Sequence, residues 1–221
     1  MGAEKENNLL ERIKNLIFPS VCGICGKINE KSLCSGCKRK LELLSNTNII
    51  KAKNKSFSKQ AYLFKYEGII REKLINYKFN EQAYLNETFS NIIIKDEKIC
   101  RFIKNYDIII PVPIHKKRYK ERGYNQTELI ASRIAEKLGI SIAKDVLIKE
   151  INNKPQSELT KLEREQNTKN VYRIQNEQKI KNKNILIMDD IYTTGNTVNE
   201  CSKMIKQAGA RQIAVLTIAK D

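Results

Sequence analysis

Long apolar runs are missing from this chain. No stretch approaches the roughly 20 residues that a bilayer-spanning helix needs, so no membrane span is expected. The opening segment MGAEKENNLLERIKNLIFPS also lacks the uninterrupted apolar centre of an export signal. Leu9, Leu10, Ile13, Leu16 and Ile17 fall at helical spacing instead, so a short amphipathic helix is expected there, in a cytoplasmic protein. Acidic residues are few: 25 Asp and Glu stand against 41 Lys and Arg, a net charge of +16. That excess suits an anionic partner such as a nucleic acid, a phosphorylated small molecule or a membrane surface. An AT-rich genome, which favours Lys and Asn codons, is the plain alternative source. Histidine is almost absent. The single one, His115, lies beside lysines and is read as a local polar contact rather than a general base. There is no internal repeat and no low-complexity tract beyond the Lys and Asn bias.

What is present begins with cysteine. Six occur in a chain without an export signal, which points to thiols or metal rather than disulfides. Four of them form Cys22-x-x-Cys25, eight residues, then Cys34-x-x-Cys37. Each pair brings two sulfurs to one side of a turn, and two such turns complete a tetrahedron around Zn²⁺. A redox pair and an iron–sulfur cluster are the rivals. So short a module cannot fold on its own core, so a structural metal would supply its folding free energy. Cys100 and Cys201 stand alone in apolar surroundings and are read as core.

The chain then divides into residues 1–45, an N-terminal helix and the four-cysteine module; 46–60, a basic connector; and 61–221, an α/β domain. Within the last, strands are expected at 61–66, 106–114, 145–149, 184–190 and 212–219. Helices are expected at 69–79, 125–138, 157–167 and 197–208. Strands alternating with helices give a parallel, doubly wound sheet. In such sheets ligands bind beyond the carboxyl ends of the strands.

One such end is ILIMDDIYTTGNT, residues 185–197. Asp189 and Asp190 close an apolar strand, and a hydroxyl-rich turn leads into a helix. The free N–H groups of a helix start suit a phosphate, Gly195 allows close backbone approach, and Thr193, Thr194 and Thr197 add donors. Carboxylates accept hydrogen bonds from sugar hydroxyls or face Mg²⁺. The residues therefore suggest a ribose held by the acid pair with its 5′-phosphate in the turn. A solvated strand-to-helix loop with a threonine cap is the plain alternative.

This run resembles the phosphoribosyl pyrophosphate (PRPP) signature of type I phosphoribosyltransferases. The segments FPSVCGICG, YEGIIREKLINYKF, PVPIHKKRYKERGYNQ and PQSELTKLEREQN, with the second cysteine pair, resemble the ComF family of late competence proteins in order and spacing. The resemblance implies a type I phosphoribosyltransferase sheet with an N-terminal zinc finger. It implies Mg²⁺ with PRPP at Asp189, Asp190, Thr193, Thr194, Gly195, Asn196 and Thr197. It also places a pyrophosphate-binding loop at 115–126, where five basic residues fall within seven positions. Lys116 and Arg118 are then binding residues and Arg122 a catalytic one, since Arg matches phosphate oxygens as a fork. Arg164, in a segment where relatives carry a closing loop, is the second catalytic candidate.

Two functions follow. One is transfer of phosphoribosyl from PRPP to an unknown acceptor. Phe64, Tyr66, Phe79 and Tyr192 are candidates to stack on a base, with aromatic core as the default. Met1-Gly2 offers no N-terminal cysteine nucleophile, so transfer of ammonia from glutamine is not expected. The other function is binding of single-stranded DNA during uptake, beside a helicase-like ATPase. Lys51, Lys53, Lys55 and Lys59 would then meet phosphates, and Tyr119 and Tyr124 would stack on bases.

Overall fold

A computed structural model describes residues 20–28, 31–152 and 171–221. The chain divides into two compact units, Met1–Leu44 and Ser45–Asp221. In chain order the helices are α1 (Ser35–Leu44), α2 (Gly68–Phe79), α3 (Leu85–Lys95), α4 (Glu97–Ile103), α5 (Lys116–Arg122), α6 (Gln126–Leu138) and α7 (Asn196–Gln207). The strands are β1 (Ser45–Lys51), β2 (Lys59–Lys65), β3 (Ile108–Pro111), β4 (Ser141–Ile142), β5 (Leu147–Lys149), β6 (Tyr172–Ile174), β7 (Asn184–Tyr192) and β8 (Gln212–Lys220). Among the described residues no helix is long and apolar enough to cross a membrane.

The first unit combines a turn closed by a short bridge with a helix. Val21 and Ile28 form an isolated antiparallel bridge. Inside it the Gly26 amide donates to the Cys22 carbonyl at 2.8 Å and the Cys22 amide to the Lys27 carbonyl at 2.9 Å. Gly26 takes φ 72°, a conformation glycine adopts without strain. Helix α1 follows and buries Leu41.

The second unit is a six-stranded sheet of order β1-β2-β8-β7-β3-β4. All neighbours are parallel except β1, which pairs antiparallel with β2. The central strands β7 and β8 are buried along most of their length, as a sheet covered on both faces requires. Strand alternation sorts their side chains. Ile108, Ile110, Ile185, Ile187, Ile213 and Val215 share one core cluster with Val198, Cys201 and Ile205 of α7. The intervening Ile109, Leu186, Ala214 and Leu216 are equally buried on the opposite face. Helix α6 packs on β3 and β7 there, through Ile130 and Ile134. This is the doubly wound α/β arrangement.

The segment read as a connector holds more structure than expected. Residues 45–51 form the edge strand β1, and Phe57 is buried in the core cluster. The expected strand at 145–149 shortens to β5. It leaves the main sheet and pairs with β6 in a separate two-stranded arch. The basic loop after β3 is a helix, α5, closed by Gly123 at φ 80°. The helix expected at 157–167 and the N-terminal helix lie outside the described residues.

Candidate functional site

Beyond the carboxyl ends of β3 and β7 lies a cleft of about 360 Å³. That is within the usual size of a small-molecule site. Its walls carry Asp189 and Asp190 from β7, Thr193 and Thr197 from the following turn and α7, and Arg118 and Arg122 from α5. Lys78 and Phe79 reach it from the end of α2, Gln126 from the start of α6, and Lys149 and Tyr172 from the arch.

The two acids differ in surroundings. Asp190 is 3% exposed. Its Oδ2 meets the Lys78 ammonium at 3.1 Å and accepts from Gln126 Nε2 at 3.3 Å, while its Oδ1 accepts from the Ile191 amide at 2.9 Å. Burial pushes its pKa up, but the Lys78 charge and these donors outweigh burial and hold the group below the ordinary carboxylate range. Asp189 is half-buried, and its Oδ1 accepts from the Asp190 amide at 2.9 Å. Burial and the neighbouring carboxylate push its pKa up to about 8. One acid is thus a fixed anion with its partners in place. The other faces the cleft and is poised to gain charge when a cation or a hydroxyl donor arrives.

The turn after β7 is tight for a specific reason. Gly195 sits at φ 74°, and a Cβ there would lie 2.2 Å from the Tyr192 hydroxyl oxygen. Only glycine lets the Tyr192 ring lie against this backbone. Gly195, the N-cap of the helix that follows, offers no side chain to cap it, and only a long contact of 3.5 Å, from the Asn196 amide to Thr194 Oγ1, meets its first turn, so this helix start can still turn amides to an anion.

Across the cleft, α5 opens with His115, whose Nδ1 accepts from the Lys117 amide at 3.1 Å. Arg122, at the other end of α5, donates from Nη1 to Gln126 Oε1 and stands 5.6 Å from the centre of the Phe79 ring. Gly123 then turns the chain so that Asn125 caps α6, its Oδ1 accepting from the Thr127 amide at 3.1 Å. Asn125 Nδ2 donates to the Val112 carbonyl at 3.1 Å, which fastens this corner to the end of β3.

In the first unit the sulfurs of Cys22, Cys25, Cys34 and Cys37 all lie within 4.8 Å of one another. Cys25 and Cys34 are 3.9 Å apart. Four thiolates around Zn²⁺ at about 2.3 Å stand roughly 3.8 Å from each other, so the cluster fits a tetrahedral structural zinc site. Backbone amides already point at the sulfurs: Cys34 N lies 3.4 Å from Cys22 Sγ and Cys37 N lies 3.5 Å from Cys34 Sγ. Such outer hydrogen bonds offset thiolate charge in a metal knuckle.

A family model for the phosphoribosyl transferase domain matches residues 126–221. Competence protein F of Haemophilus influenzae is 25% identical over 87% of this chain and 92% of its own length. Competence protein ComFC of Bacillus subtilis is 25% identical over 91% of this chain and 78% of its own. The chain is thus similar over most of its length to curated competence proteins. Among solved structures, adenine phosphoribosyl transferase from Trypanosoma brucei aligns over 83% of this chain and 67% of its own, at 14% identity and a TM-score of 0.42. The family match lays a phosphoribosyl transferase domain over residues 126–221, the stretch that holds β7, α7 and β8.

Of the residues singled out in the sequence, Asp189, Asp190, Thr193, Thr197, Arg118 and Arg122 line one cleft. Lys116 is exposed on the first turn of α5 and is not part of its lining. Thr194, Gly195 and Asn196 form the turn and helix start beside it rather than its wall. Arg164, with the rest of 154–167, lies outside the described residues. Among the aromatic candidates Tyr66 and Phe79 line the cleft, Phe64 is core, and Tyr192 packs against the core cluster beside Gly195. Lys78, Gln126, Arg71 and Lys149 were not anticipated. The signal for two of them was in the sequence: Arg71, Leu74, Ile75 and Lys78 recur at helical spacing on one face of α2, toward the cleft.

Proposed function

We propose that the second unit binds PRPP with Mg²⁺ and transfers its phosphoribosyl group to an acceptor, releasing pyrophosphate. The observation that carries this reading is one cleft with an acid pair and a glycine-hinged helix start on one wall and Arg118 and Arg122 on the other. Asp189, backed by Asp190, receives the ribose hydroxyls. It also suits Mg²⁺, which is commonly held by one or two carboxylates together with substrate phosphates. Thr193, Thr194, Gly195, Asn196 and Thr197 receive the 5′-phosphate through backbone amides and hydroxyls. Arg118 and Arg122 stabilise the diphosphate as it leaves, joined by Arg164, with Lys116 adding its charge from outside the cleft wall. Fixed cations at the leaving group and a ribose held in place are what lower the barrier to an oxocarbenium-like transition state.

Calorimetric titration of PRPP with Mg²⁺ tests the reading. The wild type should bind and Asp189→Asn/Asp190→Asn should not. A folded, metal-loaded wild type that shows no heat would sink it. If binding holds, a screen of acceptors for pyrophosphate release identifies the second substrate.

A second reading is single-stranded DNA binding during uptake, beside a DNA-uptake ATPase. It is favoured by the relatives being competence proteins and by Lys51, Lys53 and Lys59 being exposed on the β1–β2 hairpin. It requires an affinity that falls steeply with salt and that weakens when these lysines are neutralised. A flat salt response would exclude it.

A further inference from the structure

The cleft contains a continuous chain of polar contacts that ties its two walls together. Lys78 Nζ reaches Asp190 Oδ2 at 3.1 Å and Oδ1 at 3.4 Å. Gln126 Nε2 donates to Asp190 Oδ2 at 3.3 Å, and Gln126 Oε1 accepts from Arg122 Nη1. The amide of one buried side chain thus joins a carboxylate on β7 to a guanidinium on α5. The last two residues of α2 touch both ends of this chain: Lys78 holds the carboxylate, and Phe79 lies under the guanidinium with its ring centre 5.6 Å from Cζ. Tyr77, the residue before them, is fully buried and donates its hydroxyl to the Gln126 carbonyl at 2.7 Å. Three consecutive residues of α2 therefore fix Asp190, Gln126 and Arg122 together.

We infer that Lys78 is a positioning residue of this site: through Asp190 and Gln126 it sets the fork of Arg122, and it leaves Asp189 as the carboxylate that meets the ligand. The stoichiometry of the contacts supports this division. A carboxylate has about four acceptor positions, and Asp190 uses them on Lys78 twice, Gln126 and the Ile191 amide. Gln126, with both ends of its amide engaged, has one orientation, which fixes where Arg122 points. Removing the Lys78 ammonium would leave two adjacent carboxylates with Arg71, Arg118, Arg122 and Lys149 as the remaining lysine and arginine side chains lining the cleft. Asp190 would then lose the partner that meets both its oxygens, and Gln126 and Arg122 would lose the anchor that orients them.

This inference rests on the PRPP reading for its binding assay and not for its second readout. PRPP with Mg²⁺ is titrated into wild type, Lys78→Gln, Lys78→Arg, Asp190→Asn and Lys78→Gln/Asp190→Asn. Lys78→Gln should weaken binding about 10- to 100-fold, the usual effect of losing a supporting contact behind a ligand group. Lys78→Arg should restore most of the affinity, and Lys78→Gln should add little once Asp190 is already Asn. Equal losses in both backgrounds, or no rescue by Arg, would overturn the role. The second readout is the NMR signal of the Arg122 Nε–H group without ligand. In the wild type, with the guanidinium held by Gln126, it should be a single peak protected from exchange, in Lys78→Gln it should broaden and lose protection, and in Lys78→Arg it should return. An unchanged signal in Lys78→Gln overturns the inference. A wild type that fails to bind PRPP but shows this dependence removes the proposed function and keeps the relay. Should Lys78→Gln fail to fold, the same signal in Gln126→Leu reads the other end: it should again lose protection, and an unchanged signal counts against the relay.

Discussion

The two units of this chain solve the same problem by different means. In the first, the described apolar side chains that are buried are Cys22, Ile24 and Leu41, and the one helix among its described residues, α1, buries a single side chain. In the second, β7 and β8 bury most of their side chains, and each fully buried Ile, Val or Leu contributes roughly 1.5–3 kcal/mol. So few buried residues cannot offset the ordering of the rest of the first unit, at about 1–2 kcal/mol per residue for the backbone alone. The larger core of the second can. The first unit is therefore expected to depend on a metal at its four sulfurs, and the second is not. The difference also sorts the chemistry. Four sulfurs that close on one another leave no position for a substrate, whereas a sheet that supplies its own stability can leave a cleft open at its strand ends.

The sharpest way to break this comparison is to remove the metal. Chelation, or Cys37→Ser, should abolish metal content and amide protection at Cys22, Gly26 and Lys38, whose N–H groups are bonded within the module. Structural zinc supplies about 10–16 kcal/mol of folding free energy in such modules, far more than any single contact in the chain. Amides of β7 and β8 should keep their protection. Hydrogen exchange with mass spectrometry reads both units in one experiment, and protection that survives chelation in the first unit would show that it holds itself together. The converse experiment is Ile187→Ala, a cavity in the core cluster of the second unit. It should cost about 2–5 kcal/mol in urea unfolding of that unit while leaving the metal content unchanged.

The same contrast explains what could be read from the sequence. The cysteine spacing and the run from Ile185 to Thr197 are local, so their chemistry is visible in a few consecutive letters. Strand β7 was legible because both its faces are buried, which makes an apolar run rather than an alternation. Strand β1 was not legible. As an edge strand, SNTNIIK is half-exposed along its length, and its Asn and Lys residues look like a linker. Helix α5 looks like a loop in the sequence because it buries no residue and so has no apolar stripe. The short β5 looked like another parallel strand, because three apolar-rich letters do not say which partner they pair with. Helices α3 and α4 were not singled out, although α3 buries Leu85, Phe89 and Ile93 at helical spacing. Of the site, the acids and arginines were legible by type. Helical spacing puts Lys78 on one face with Arg71, but its pairing with Asp190, like that of Gln126, is not legible, because these contacts span 112 and 64 positions of sequence.

A smaller effect separates the two acids within the second unit. The pKa of Asp189 is raised in the folded state, to about 8. A carboxyl raised on folding stabilises fully below its unfolded value near 4, and that contribution is lost as pH rises through the folded value. The stability of the unit should therefore decline from about pH 4 to about pH 8 because of this one group. Asp189→Asn should remove that slope, so its gain over wild type grows with pH and levels off above about 8. Asp190 has the opposite sign. Its pKa is depressed, so its contribution is present at neutral pH and lost as pH falls below the ordinary carboxylate range. Asp190→Asn should cost stability at pH 7, and that cost should shrink as the pH falls through the depressed titration of Asp190. Urea midpoints across pH for the two variants should cross, and parallel curves would mean that the two carboxylates share one environment.

The smallest effect belongs to the pair that looks strongest on paper. Lys179 Nζ lies in close contact with Asp145 Oδ2, which also accepts from Asn176 Nδ2 at 2.9 Å. The Lys179 hydrogen bond depresses the Asp145 pKa. Both side chains are nearly half-exposed, at 48% and 45%. Water screens such a pair, and two long side chains lose freedom to form it, so its net contribution is under about 1 kcal/mol. Lys179→Ala should shift the urea midpoint only slightly at pH 7, less in high salt, and not at all below the titration of Asp145. Lys78→Ala should cost far more, although its contact is longer, because the carboxylate it abandons is 3% exposed and cannot turn to water. If the two losses were equal, distance rather than burial would rank the ion pairs of this protein, and the contrast drawn between its exposed and enclosed charges would fail.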